Sequence, residues 1–199
     1  MDFFETVEKS LSSVNLSEGL YLSETVEFNQ CLDHIVHILR DSVALYKLES
    51  YSSSVFLSIS AIEEIGKTHI ALYRSIINSD KKETRRDPLK DHRIKETLGS
   101  GPTIAMGGRL NEAVGNEALE EIMQLAYSGR LKQMREEAIY WDRVDGELYI
   151  PSVKFDKEFA RALLLFAIES FDDGLVGCTN YSFQIDDETD LLFEQVANS

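Results

Sequence analysis

An all-α helical bundle is the fold this chain predicts, on three observations. Apolar residues recur at spacings of three and four over long stretches, the signature of amphipathic helices. The three prolines, Pro88, Pro102 and Pro151, all fall outside the strongest helical runs. At 199 residues the chain forms one domain, long enough to bury a core without disulfides or a metal.

The elements follow in order. Residues 3–14 can form a short helix, and Asn15 to Ser23 reads as a loop with Ser23 as a candidate N-cap. From Val26 to Leu48 the residues Phe28, Leu32, Ile35, Leu39 and Val43 mark one apolar face. The Ser50–Ser54 cluster interrupts or caps this helix, and the next runs from about Val55 to Ile77. Two long helices with a short break make a central antiparallel hairpin. Residues 78–90 are polar and charged. Asp91 to Leu98 forms a short helix, ended by Gly99-Ser100-Gly101-Pro102. Asn111 to about Met134 is helical, weakened by Gly115 and Gly129. Near 138–150 a small β-hairpin or extended insertion is expected, with Asp145-Gly146 as its turn. Phe155 to Val176 is a long closing helix. The acidic tail, 180–199, is a short amphipathic piece or is disordered.

The segment Ser60-Ala61-Ile62-Glu63-Glu64-Ile65-Gly66-Lys67 is the most informative one. Glycine in a helix interior costs about 1 kcal/mol relative to alanine, so Gly66 points to close approach of another backbone or a ligand. Glu63 and Lys67 are spaced i, i+4, and Glu64 and Lys67 i, i+3, so either pair can meet. The segment is either a surface ion pair beside a tight helix crossing or a charged site in a groove.

The net charge of −15, from 35 acids and 20 bases, argues against a protein that binds nucleic acid by blanket phosphate neutralisation. A local basic stretch remains: residues 80–96 carry seven bases and five acids. Cys31 and Cys178 match no metal or redox spacing and read as free buried thiols in a reducing compartment. The N-terminus lacks a basic region followed by an apolar run, and no apolar run reaches the ~20 residues of a membrane span. A cytoplasmic protein without membrane contact is expected.

Ala61-x-Glu63-Glu64-x-Gly66-Lys67, followed by His92-x-x-Lys95, then Ile139-Tyr140-Trp141-Asp142, Pro151 and a long closing helix, resembles in combination and order the AbiV family of bacterial abortive-infection proteins. That family belongs to the HEPN-like helical domains. The resemblance covers about residues 26–176. It implies a HEPN-like bundle and a role in phage defence, in which the infected cell stops growing before phage matures. It also implies a homodimer, action on RNA or the translation machinery, and a phage-encoded protein as trigger. HEPN ribonucleases resemble one another in an Arg, four to six residues, then His; Arg86 and His92 fit this, as does Arg85 with six residues.

Metal-independent RNA cleavage requires a base for the 2′-hydroxyl proton and a cation for the phosphorane. His92 is the candidate base, with Arg86 or Lys95 holding the phosphate. Glu63, Glu64 and Lys67 are the candidate binding residues, Glu64 orienting His92 or neutralising Lys95. No cofactor is implied. His34 and His37, with Asp33 and Asp41, lack the paired Glu-x-x-His pattern of di-iron bundles and read as surface histidines, not metal ligands. Ser52, Ser53 and Ser54 have no nucleophile-elbow glycines around them. Gly107-Gly108 has no following Lys-Ser/Thr, which excludes a P-loop. Tyr140, Trp141 and Tyr149 can stack on bases or pack on the bundle. The alternative to an RNA-directed effector is a non-catalytic protein that binds a phage or host protein.

Overall fold

The computed structural model describes residues 22, 24–76, 91–101 and 108–199. The expected N-terminal helix over 3–14, Ser23, Arg85 and Arg86 lie outside these residues. The first described helices, α1 (Thr25–Lys47) and α2 (Tyr51–Ile76), form the predicted hairpin. Its link is Leu48, Glu49 and Ser50, with Glu49 in the left-handed region at φ 60°. The pair is antiparallel: Tyr46 packs on Tyr51 at 5.7 Å between ring centroids, and Ser42 Oγ lies 2.9 Å from Ser54 Oγ and 3.0 Å from Ser58 Oγ. The serine cluster is therefore mostly the first turn of α2, not a break. Ser54, with Ser58 one turn on, meets Ser42 of α1 across a buried seam, and Ser50 donates to Ser53 beside it.

After α2 come α3 (His92–Ser100), α4 (Gly108–Val114), α5 (Asn116–Ser128) and α6 (Arg130–Glu137). Asp91 caps α3, its carboxylate accepting from the Arg93 and Ile94 amides. The single helix expected from Asn111 to Met134 is three pieces, cut where Gly115 and Gly129 take φ 82° and 76°. Only glycine reaches that region cheaply, so these residues end helices here. The insertion is the expected hairpin, β1 (Asp142–Val144) antiparallel to β2 (Glu147–Tyr149). Positive φ at Asp145 and Gly146 matches a tight hairpin turn. One turn of helix, α7 (Pro151–Lys154), leads into α8 (Lys157–Leu175).

The hairpin shares the centre of the bundle with α8, buried at every position from Ala162 to Phe171. Such all-round burial is what an uninterrupted apolar run in a helix demands. The acidic tail is not disordered. It forms α9 (Asn180–Ala197), started by a Thr179–Ser182 capping box. It buries Ile185, Leu192, Phe193 and Val196, exposes Asp187 and Glu194, and half-buries Asp186, Glu188 and Asp190. Contacts Asn29–Thr179, Asp33–Tyr181, Arg40–Glu188 and Lys47–Gln195 hold a nearly constant offset of 148 to 150 residues, so α9 runs parallel to α1. The Arg161 guanidinium of α8 donates to the Val196 and Ala197 carbonyls at the end of α9 and to Ala113 of α4. No described helix is long and apolar enough to cross a membrane.

Candidate functional site

Gly66 is where the site begins. A Cβ there would lie 2.7 Å from the Lys95 carbonyl carbon and nearer still to its oxygen. The crossing is reciprocal: a Cβ on Gly99 would press on the Ile62 carbonyl. Two glycines thus bring the backbones of α2 and α3 together. Gly99, expected to end its helix, instead lies inside it.

The contact places the first turn of α3 over Glu63, which is one turn before Gly66 on the same stripe. Glu63 Oε2 accepts from Arg135 of α6 at 2.7 Å. The same oxygen is 2.9 Å from His92 Nδ1 and 3.6 Å from Lys95 Nζ. Since Arg can only donate, that oxygen is an acceptor, and Nδ1 carries the proton toward it. Nε2 is left as the acceptor of the neutral ring. The His92 side chain is 29% exposed, whereas those of Glu63 and Lys95 are 5% and 10%. A buried carboxylate thus orients a half-buried imidazole beside two cations.

Beneath this lies Glu96, fully buried, with neither oxygen in a hydrogen bond of normal geometry. Burial, reinforced by the Glu63 charge, pushes its carboxyl up to about 8, against the pull of the Lys132 amide, Arg135 and Lys95. It is therefore mostly protonated at neutral pH. His69, also on α2, is buried and driven down to about 4 by desolvation.

Glu63, His92 and Lys95 converge, whereas the sequence suggests that Glu64 and Lys67 meet His92 and Lys95. Glu64 and Lys67 do not join them. They pair with each other at 2.9 Å on a more exposed face, where both charges act on the Cys31 thiol of α1; the two cysteines, expected to be buried, are half-buried at Cys31 and exposed at Cys178, which lies in the link before α9. Glu63, not Glu64, is the residue that orients His92. Arg135 was missed; it is 43 positions beyond His92 in the chain, and no local spacing ties it to either motif. His34 and His37 are exposed, His37 meeting only Asp41 at 3.6 Å.

A second ionic node also escaped the sequence. Arg109 of α4 bonds Glu169 and Asp172 of α8 and Asp190 of α9, and lies 4.3 Å over the Phe193 ring. Burial raises Asp172 to about 7, opposed by its bond from Thr189 and by Arg109. Oxygens of Asp172, Asp186 and Asp190 fall within 4.8 Å of one another. The guanidinium already bonds two of these carboxylates, so the node needs no metal to account for it.

No curated protein and no solved structure matches the chain. The family model HEPN_AbiV, described as AbiV, matches residues 28–171, from the first buried turn of α1 to the end of the enclosed part of α8. That span contains Glu63, His92, Lys95, Arg135 and both glycines of the crossing, and it covers well over half of the chain; the chain belongs to the AbiV family of HEPN-fold proteins, which associates it with abortive infection and phage defence.

Proposed function

We propose that this protein is an effector that arrests growth of the phage-infected cell by acting on RNA or the translation machinery, and that its chemistry is metal-independent RNA cleavage. The observation that carries the proposal is the Glu63–His92 contact of 2.9 Å. It fixes the tautomer that leaves Nε2 ready to take the 2′-hydroxyl proton as that oxygen attacks the adjacent phosphorus. Lys95 and Arg135, which share the Glu63 oxygen with His92, meet the charge that gathers on the phosphorane oxygens. The P–O5′ bond then breaks, leaving a 2′,3′-cyclic phosphate, and the 5′-oxygen departs as a hydroxyl with the proton returned by the His92 imidazolium or taken from water. Arg86, six positions before His92, supplies a further phosphate contact. No cofactor takes part. A homodimer would set two such sites in one cleft, and a phage-encoded protein would act as trigger.

A second reading, a non-catalytic protein that binds a phage or host protein, draws on the enclosure of Glu63 and Lys95, which is as fitting for a structural tie. Induction of wild type and His92→Ala, with total RNA electrophoresis, growth curves and melting of the purified variants, separates the two. Cleavage predicts discrete RNA fragments that disappear, along with growth arrest, in a stably folded His92→Ala protein. Full arrest in that variant would end the catalytic reading and leave the binding one standing.

A further inference from the structure

Tyr140 and Trp141 do not pack on the bundle. Each is 69% exposed, at a pocket of about 530 Å³ between α6 and the β-hairpin. That volume lies within the ~300–1,000 Å³ of small-ligand sites. Gln133 brings an amide to the pocket. The Tyr149 hydroxyl is buried and interacts with Lys154, whose ammonium sits 4.8 Å above the Tyr149 ring.

The charges decide the class of ligand. Arg130 donates twice to Glu137, at 2.8 and 3.2 Å, and Lys154 donates to it at 2.8 Å. Glu136 and Asp142 also line the pocket, so two cations face three carboxylates. A phosphate chain or a duplex backbone needs a net positive surface. A neutral planar ring with donors and acceptors on its edge does not, and exposed aromatic faces are what such rings stack on.

We propose that this pocket binds an unstacked nucleobase of single-stranded RNA, with Trp141 and Tyr140 stacking on its face and the Gln133 amide meeting its edge. The proposal rests on the RNA reading above and names the part of the strand held away from the His92 site. On a helix of 100° per residue, Arg135 points opposite to Arg130, Gln133 and Glu137. The two sites are therefore separated by the thickness of α6, about 10 Å.

Trp141 is the sole tryptophan of the chain, so its emission reports on this pocket alone. The full chain is titrated with adenosine, guanosine, cytidine and uridine, and with single-stranded RNA hexamers of each. Quenching of Trp141 emission is expected, with nucleoside affinity changing less than about threefold between low and high salt, because an uncharged nucleoside has no counterions to release. Hexamer affinity falls with salt as its phosphates meet cations elsewhere on the protein. Tyr140→Ala should weaken hexamer binding about 5- to 50-fold with unchanged melting. Trp141→Ala, followed by anisotropy of a labelled hexamer, should do the same. Leu191→Ala, on the exposed face of α9, should bind like wild type. Absence of quenching by every nucleoside and hexamer would overturn the proposal. So would binding that falls steeply with salt and ignores both aromatic substitutions, or a blue shift of Trp141 emission that grows with protein concentration alone and marks a protein interface. Quenching by a protein that leaves cellular RNA intact would end the cleavage reading and keep the pocket; RNA fragments without quenching would do the reverse.

Discussion

Glu96 offers the sharpest test at the scale of one residue. Its carboxyl has a native pKa near 8 and an ordinary one near 4.3 when unfolded. Between those values the native state holds a proton that the unfolded state has lost. Stability therefore falls as pH rises from about 4.5 to about 8 and levels off above that. Glu96→Gln keeps the shape and removes the titration. It should leave the melting temperature almost unchanged at pH 5 and raise it at pH 8.5; an equal change at both pH values would show that burial of this acid has no such effect. The neighbouring Glu63 shows what a sequence does and does not reveal. Its spacing to Lys67 was legible, and so was its place on the Gly66 stripe. Which of two adjacent acids turns inward depends on where α3 and α6 supply cations. His92 and Lys95 could be read as one pair from their spacing of three, but Arg135 reaches them only through the tertiary fold.

At the scale of the element, the α2–α3 crossing follows from two glycines. Gly66 announced itself because nothing in its own helix explained it. Gly99 did not, because a glycine beside Ser, Gly and Pro reads as a stop, and the crossing partner overrides that local signal. Gly115 and Gly129 erred in the other direction: apolar periodicity ran through them, while the backbone took a conformation that no periodicity records. Gly66→Ala puts a methyl against the Lys95 carbonyl, so α3 must retreat. The expected cost is about 1–3 kcal/mol, with loss of the His92–Glu63 contact. Gly99→Ala should cost a similar amount alone. The double variant should cost less than the sum, since the first methyl already opens the gap the second needs. Strict additivity in urea melts would mean that the two glycines do not share one contact.

At the scale of the whole molecule, the long helices and the central hairpin were legible because amphipathic periodicity integrates over many residues. The fate of the acidic tail was not, because its apolar positions gain a partner only when α1 and α8 are already beside it. The proposed homodimer belongs to this scale. Light scattering at micromolar concentration should give twice the 22.6 kDa of the chain; a mass near 22.6 kDa would remove the shared cleft from the mechanism.

The constant register between α1 and α9 has a kinetic consequence. Contacts in the α1–α2 hairpin close short loops, whereas the α1–α9 hydrogen bonds join residues about 150 apart and carry a high loop-closure cost among the described residues. The seam should zip late in folding, after α8 has provided its floor, and its outer part rests on exposed polar pairs. Native-state hydrogen exchange should accordingly find α9 opening as a unit at a lower free energy than α2 or α8, so that the protein passes through a form with its last helix undocked far more often than it unfolds.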